Sequence, residues 1–177
     1  KLFGLDSDEP GKVLKNGFVS MLDDPVKTVN VDWLNGGATV WRRKVINNYS
    51  YDEWFKGSGF MEDMDYSFNI GEKYELVLLS DAKTEHHHHP IRGDRYYLLG
   101  KWQIVNRLYF VRKYKHRGLS MSEAWIANFI LILLNLSVGL IRLDYNRLRL
   151  TLGNIIGVFI SITSKDTQIS GHLKSVK

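Results

Sequence analysis

The segment Ala124–Ile141, AWIANFILILLNLSVGLI, is nearly continuous apolar sequence and decides whether this chain folds entirely in water. A second apolar run follows at Leu150–Ile162. Eighteen residues is at the short end for crossing a bilayer, which needs about 20. Asn128 and Asn135 lie seven residues apart on one helical face and are expected to pack inward.

The charges that flank the first apolar run argue against a simple membrane crossing. A single crossing keeps its basic residues mainly on one side. Here basic residues stand on both sides: Lys113, Lys115 and Arg117 before the run, and Arg142, Arg147 and Arg149 after it. The sequence therefore favours a re-entrant hairpin or an in-plane helix, with a buried core helix as the alternative.

The composition indicates a folded domain with an uneven charge. The chain has 177 residues, 44% of them hydrophobic, and a net charge of +5. Most acids precede Asp94 and the later part is rich in Lys and Arg, so the second half should favour anionic partners. Cysteine is absent, which excludes disulfides and cysteine zinc sites. Because the chain begins with Lys1, we expect a piece of a longer protein.

The order of local patterns predicts alternating strands and helices in the first half. Gly36-Gly37 forms a turn before a strand at Ala38–Trp41, and Glu75–Leu79 is a second strand. Glu62–Ile70 should be a helix. Beyond Pro90, a helix rich in aromatic and basic residues is expected at 95–114. Its interleaved charges also suit nucleic acid, which we consider the weaker interpretation.

Three acids cluster between glycines and aromatics in Gly57–Gly71, GSGFMEDMDYSFNIG. A carboxylate that is partly desolvated beside others has a raised pKa and can act as a general base. The alternative is that Asp63 and Asp65 complement a helix N-terminus.

Four consecutive histidines, His86 to His89, follow the second predicted strand. In an extended segment alternate side chains share a face, so His86 and His88 can reach one site. Neutral imidazole is a common ligand for divalent metals. A solvated histidine loop is the alternative.

The ordered motifs resemble the second half of a family 2 glycosyltransferase with the GT-A fold. The resemblance covers about Gly11–Tyr114, and the apolar tail resembles the membrane-associating C-terminus of many bacterial polysaccharide transferases. The motifs that carry it are GKVLKNG, GGATVWRR, GFMEDMDYS, SDAKTEHHHHP and NRLYFVRKY. The resemblance implies an α/β fold: a partial GT-A-like (Rossmann-like) domain with a mixed sheet in residues 1–94, followed by a helical C-terminal region in residues 95–177.

The same resemblance implies roles for individual residues. Asp63 matches the catalytic base of inverting members, with Glu62 and Asp65 supporting it. Gly36 and Gly37 match the glycine pair that lies against donor and acceptor. His86, with His88 as the alternate, matches a ligand of a divalent ion, Mn²⁺ or Mg²⁺. Other expected substrate contacts are Trp33 for sugar stacking and Arg92 and Arg95 for phosphate, whereas Trp41 is expected in the core.

The implied function is transfer of a sugar from a nucleotide-sugar to a glycan or lipid-linked acceptor, by an inverting and metal-dependent enzyme. We expect it at the cytoplasmic face of a bacterial membrane, peripheral or re-entrant, without a nucleic-acid partner. The family's first half, with its nucleotide-binding units and DxD motif, does not match these residues. The chain is therefore expected to be a C-terminal fragment, and the alternative is a non-catalytic membrane-associated binding module.

Overall fold

The structure, a computed structural model, describes residues 4–22, 25–85, 87, 93 and 95–163. These residues fall into two compact units. The first comprises described residues within Lys1–Leu14, Phe18–Phe55 and Met61–His88; the second comprises those within Lys15–Gly17, Lys56–Phe60 and His89–Lys177. Two short segments before residue 61 thus join the second unit, although a single boundary was expected at residue 94.

The predicted α/β fold with a mixed sheet is wrong. The structure is mostly helical (56%), and its described sheet has only two antiparallel strands. Strand β1 (Val29–Val31) pairs with β2 (Leu76–Leu78) in the register Val29↔Leu78, Asn30↔Val77 and Val31↔Leu76. A GT-A-like, Rossmann-like domain is therefore not what these residues form.

The strand predicted at Ala38–Trp41 shows why the expectation failed. Gly36–Ala38 is a single 3₁₀ turn, and helix α1 (Arg43–Asn48) begins soon after it. The side chain of Val40 is fully in solvent, with 98% of its surface exposed. A β-branched residue supports a strand only when neighbours pack against its pleated face, and this segment joins no described sheet.

Helix α2 (Glu62–Ile70) packs at the centre of the first unit and was predicted with the same bounds. A cluster of buried side chains brings it together with α1 and both strands: Val31, Val45, Tyr66, Ile70 and Leu76. Met61 caps the helix in the left-handed region, with φ of 74°. That conformation is unfavourable for a side chain with a Cβ, so the entry to α2 is strained.

Among its described residues, the second unit contains three α-helices, all in segments predicted to be helical or apolar. They are α3 (Arg95–Lys113), α4 (Met121–Ile141) and α5 (Tyr145–Thr163). Ser120 caps α4 by accepting the Glu123 N–H, and the Asp144 carboxylate accepts the Asn146 and Arg147 N–H groups at the start of α5. Between α4 and α5, Leu143 turns the chain with φ of 51°.

Glycines let the backbones of α3 and α5 approach very closely. A Cβ on Gly100 would lie 2.1 Å from the Leu150 carbonyl oxygen, and one on Gly153 would lie 2.0 Å from that of Tyr97. Gly157 also lies close to α3, although less tightly, since a Cβ there would be 2.9 Å from the Lys101 carbonyl oxygen. No other residue type fits at such distances without moving the helices apart.

Asparagines and an arginine form the polar interior of the second unit. Asn154 donates to the Gly100 carbonyl (2.8 Å) and accepts from Asn135 (3.4 Å). Arg107 donates to the Asn128 side chain at 2.7 Å. Burial lowers the pKa of Arg107 to about 9, so its guanidinium stays charged at neutral pH. Asn128 and Asn135 are both buried, which confirms their predicted inward packing.

Candidate functional site

Two hydrogen bonds join a short loop to the first turns of α2, and a third lies within the helix. The Leu34 N–H donates to the Ser67 hydroxyl (3.0 Å), and that hydroxyl donates to the Asp63 carbonyl (2.7 Å). The Gly36 N–H donates to the Asp63 carboxylate oxygen Oδ2 at 3.1 Å. The glycine pair and the acidic cluster, 27 residues apart in sequence, therefore meet in space.

Gly36 allows this contact because it has no side chain. A Cβ there would lie 3.3 Å from the Asp63 Cβ, closer than ordinary packing permits. Gly37 is less confined, since the nearest atom to a Cβ at that position would be the Asn35 Oδ1 at 3.6 Å. That oxygen also accepts the Gly37 N–H (3.0 Å), which fixes the turn. The two predicted glycines thus have different roles, one beside the acid and one within the turn.

The three predicted catalytic acids occupy different environments. Asp63 is partly exposed, and its second carboxylate oxygen accepts the Met64 N–H at 2.8 Å. Asp65 is buried, with only 2% of its surface exposed. Asp63 and Glu62 are therefore partly accessible from solvent, whereas Asp65 belongs to the interior.

Glu62 combines partial burial with a neighbouring negative charge. Its Oε2 is buried and has no hydrogen-bond partner among the residues that the structure describes. Burial raises the pKa of Glu62, a hydrogen bond from its own backbone N–H opposes the rise, and the charge of Asp63 adds to it. A carboxyl group with a raised pKa is better matched to proton transfer near neutral pH than an ordinary one.

Aromatic rings adjoin the acids. Tyr51 stacks on Tyr66, with ring centroids 4.2 Å apart and planes 13° from parallel, and Trp41 meets Tyr66 edge-on at 5.3 Å. Half of Tyr51 is exposed (51%). Burial raises the pKa of the Tyr51 phenol, and the charges of Asp63 and Glu62 raise it further. An exposed tyrosine beside two acids offers a flat apolar surface and a hydroxyl to a ligand.

Tyr51 was not predicted as a site residue. The signal available in the sequence was the aromatic run YSYDEWF, Tyr49–Phe55, just before the acids. Trp33, which was predicted to stack on sugar, is buried instead, and its indole N–H donates to the Ser20 carbonyl at 3.1 Å. Trp41 packs against the core cluster, as expected.

The remaining predicted ligand contacts lie elsewhere or outside the described residues. Arg95 is exposed at the first position of α3, in the second unit. His86, His88 and Arg92 lie outside the described residues, so the predicted metal ligands stay a prediction. Within the described ranges, no group of three or more His, Asp or Glu side chains is arranged to hold a metal ion.

Comparisons with protein-family models, with curated proteins and with solved structures found no significant match to this chain. Its function must therefore be argued from its own residues.

Proposed function

We propose that the chain provides the acceptor side of a glycosyltransferase and that Asp63 is its catalytic base. The observation that carries the proposal is the hydrogen bond from the Gly36 N–H to Asp63, because it joins two motifs of the predicted pattern beside an exposed aromatic ring. The donor is a nucleotide-sugar and the acceptor a glycan or a lipid-linked sugar. The sequence resemblance, not the helical fold, is the source of this reaction class.

The reaction is a single displacement with inversion. The acceptor hydroxyl attacks the anomeric carbon, its proton passes to an Asp63 carboxylate oxygen, and the bond from that carbon to the diphosphate oxygen breaks. Each carboxylate oxygen has two lone pairs, so accepting one backbone N–H leaves each able to accept the hydroxyl proton. A divalent ion, Mn²⁺ or Mg²⁺, would supply the charge that neutralises the leaving diphosphate.

Neighbouring residues assist Asp63. The two backbone N–H groups hold the carboxylate in place, which reduces the reorganisation needed in the transition state. The half-exposed Tyr51 ring offers a surface on which a sugar ring can pack. We assign Glu62, whose pKa burial and the charge of Asp63 raise, a supporting role beside the base.

The test is transfer from a panel of UDP-, GDP- and dTDP-sugars to membrane-extracted acceptors, with Mn²⁺ present. We expect Asp63→Asn to lower the rate by about 10²–10⁴-fold, the usual contribution of a general base. Asp8→Asn is the matched control, because Asp8 is an exposed acid in the same unit. Unchanged transfer in Asp63→Asn, with another acid proving essential, would refute the proposal.

A second candidate is a non-catalytic membrane-associated binding module. The exposed apolar side chains of α4 and α5 favour it, because they suit a membrane surface whether or not catalysis occurs. Calorimetric titration with Mn²⁺ and nucleotide-sugars separates the two. Metal-dependent nucleotide binding that is lost in His86→Ala supports the enzyme, and vesicle binding without nucleotide binding supports the module.

We place the chain at the cytoplasmic face of a bacterial membrane, peripheral or re-entrant. Among the described helices, α4 is long and apolar enough to cross a membrane, by length and composition. The basic residues around it suit the anionic lipids of that face.

A further inference from the structure

Helix α4 exposes its apolar side chains and buries its small and polar ones, the reverse of a helix in a water-soluble protein. From Ile126 onward its exposed side chains are large and apolar except Ser137, with Phe129 and Leu140 more than half exposed. Its buried residues are small or polar: Ala124, Ala127, Asn128, Asn135 and Gly139. In water the apolar stripe of a helix faces the core and the polar side faces the solvent. The surroundings of α4 are therefore expected to be apolar.

Helix α5 repeats the same arrangement. Its exposed large side chains form one stripe: Leu152, Ile155, Phe159 and Ile162. Its buried residues are Thr151, Gly153, Asn154 and Gly157. Small residues at the contact and polar side chains bonded across it are typical of helices packed within a bilayer. Two consecutive helices thus show one pattern.

Hydrogen bonds within this hairpin and to α3 pair several polar groups that an apolar medium would leave unpaired. Asn135 donates to Asn154 at 3.4 Å, and Arg147 donates to the Asn135 side chain at 3.3 Å. Asn154 also donates to Gln103 (3.2 Å) on α3. Leaving such groups unpaired in hydrocarbon costs several kcal/mol each, so internal pairing is what a lipid environment requires.

The width of the exposed face favours lipid over a second copy of the chain. On a helix with 3.6 residues per turn, the exposed apolar residues of α4 cover an arc of about 160° around the helix axis. Leu136 and Leu134 lie at the two edges of this arc. A helix that packs on one protein partner needs an apolar stripe of about 100°. Lipid chains cover the wider arc without a matching shape.

Charge identifies the kind of lipid. Exposed basic residues stand near both ends of α4: Lys115 before it, and Arg142 and Arg149 after it. Acids near these ends are few, Glu123 and Asp144. Basic residues beside an inserted helix bind anionic headgroups with about 1 kcal/mol each.

The third helix determines how deeply the hairpin can insert. Helix α3 packs backbone to backbone on α5 at Gly100 and carries Lys101 and Arg107 in its middle turns, where both are buried within the unit. A bundle that crossed the bilayer would hold these two charges at membrane depth, at a cost of about 2.5–3.5 kcal/mol each near the centre. An in-plane position leaves α3 beside the aqueous phase.

We propose that α4 and α5 form a monotopic hairpin whose exposed apolar faces lie among the acyl chains of one leaflet of an anionic bilayer. The proposal rests on the membrane association suggested above and not on glycosyl transfer. It identifies the two faces that insert and the side of the unit that stays in water.

The absence of cysteine gives a direct test of this proposal, because single cysteines can be labelled without background. A fluorophore is attached at one of four positions: Phe129→Cys, Leu133→Cys, Leu140→Cys or Phe159→Cys. Its depth in phosphatidylcholine–phosphatidylglycerol vesicles is measured from quenching by lipids that carry a quencher at a known depth along the acyl chain. We expect similar, shallow depths at all four positions and no quenching at the control Ile46→Cys, an exposed position in the first unit. If the depths measured along α4 pass through the bilayer centre at Leu133 and continue into the opposite leaflet, the one-leaflet arrangement is overturned.

Charge substitutions test the inserted faces independently. Leu133→Lys and Phe159→Lys should each weaken vesicle partition at least tenfold, while Ile46→Lys leaves it unchanged. Circular dichroism checks that each variant keeps its helices. A wild-type dimer that Leu133→Lys converts to monomer, without vesicle binding by either, would assign the face to a second copy and reject lipid.

The outcomes separate this proposal from the proposed catalytic function. If vesicles do not bind but transfer to a soluble acceptor still depends on Asp63, only the membrane hairpin fails. If Asp63→Asn leaves transfer unchanged while the depth profile stands, only the catalytic assignment fails.

Discussion

The Gly36 N–H donates to the Asp63 carboxylate at 3.1 Å, and a Cβ on Gly36 would lie 3.3 Å from the Asp63 Cβ. The glycine is needed at this position for its small size, because its φ lies outside the left-handed region. The position of the proposed base is thus set by a backbone group of a separate loop.

We predict that Gly36→Ala destabilises the protein and displaces Asp63, since the new methyl group must push the carboxylate side chain aside. The expected loss is about 1 kcal/mol of unfolding free energy. Gly37→Ala is the matched control, because its Cβ would make only ordinary contacts, and it should change stability by no more than about 0.5 kcal/mol. Urea unfolding of both variants measures the difference. Equal stabilities would mean that Gly36 and Asp63 are not in close contact.

Glu62→Gln should stabilise the protein in a pH-dependent way. Burial raises the pKa of Glu62 in the folded state, so its contribution to stability is present below its unfolded pKa and is lost as pH rises through the folded value. Wild type and Glu62→Gln should therefore have similar melting temperatures at pH 4, and the variant should melt higher at pH 7. Glu75→Gln, an exposed glutamate in the same unit, is the control. A gap that shrinks as pH rises would contradict the burial of Glu62.

Gly153→Ala is expected to disrupt the second unit. Its Cβ would lie 2.0 Å from the Tyr97 carbonyl oxygen, so α3 and α5 must separate, at a cost of about 3 kcal/mol. Gly139→Ala is the comparison, because its Cβ first meets the flexible end of Leu148 at 2.8 Å. Thermal unfolding in detergent micelles, followed by circular dichroism, should show a large loss for the first variant and a smaller one for the second. Similar melting of the two would argue against the close helix contact.

Asn154→Ala should cost about 3 kcal/mol, because it leaves the Gly100 carbonyl and the Asn135 amide without their buried partner. Asn146→Ala, at an exposed position of the same helix, should change stability by no more than about 0.5 kcal/mol. The same micelle assay compares them. A neutral result for Asn154→Ala would show that water or lipid replaces its hydrogen bonds.

The helices were predictable because their signals are local. The first-turn acids of α2 and the apolar length of α4 each indicate a helix without reference to the rest of the chain. The sheet was not predictable, because the pairing of Val29–Val31 with Leu76–Leu78 joins segments far apart in sequence. A strand was predicted at Glu75–Leu79, but none was predicted at β1. Assigning the fold through resemblance added a mixed sheet that the described residues do not form.

The candidate site was predicted in part. Motif order suggested that Gly36 and Asp63 act together, and the structure places them in contact. Burial separates Asp65 from Asp63 two residues away, and the acid spacing alone gave no means of telling which face of α2 would be covered. Tyr51 was missed because its stacking on Tyr66 depends on how the chain returns to α2.

The contact between Gly100 and Gly153 also determines how the protein can be prepared. Since α5 fills the groove of α3 down to the backbone, a chain shortened before α4 would expose that groove and the Gly100 carbonyl to solvent. Trimming the apolar hairpin is thus expected to yield aggregated material instead of a well-behaved soluble variant. Detergent or nanodisc preparations of the intact chain are the appropriate starting material for crystallisation and enzymology.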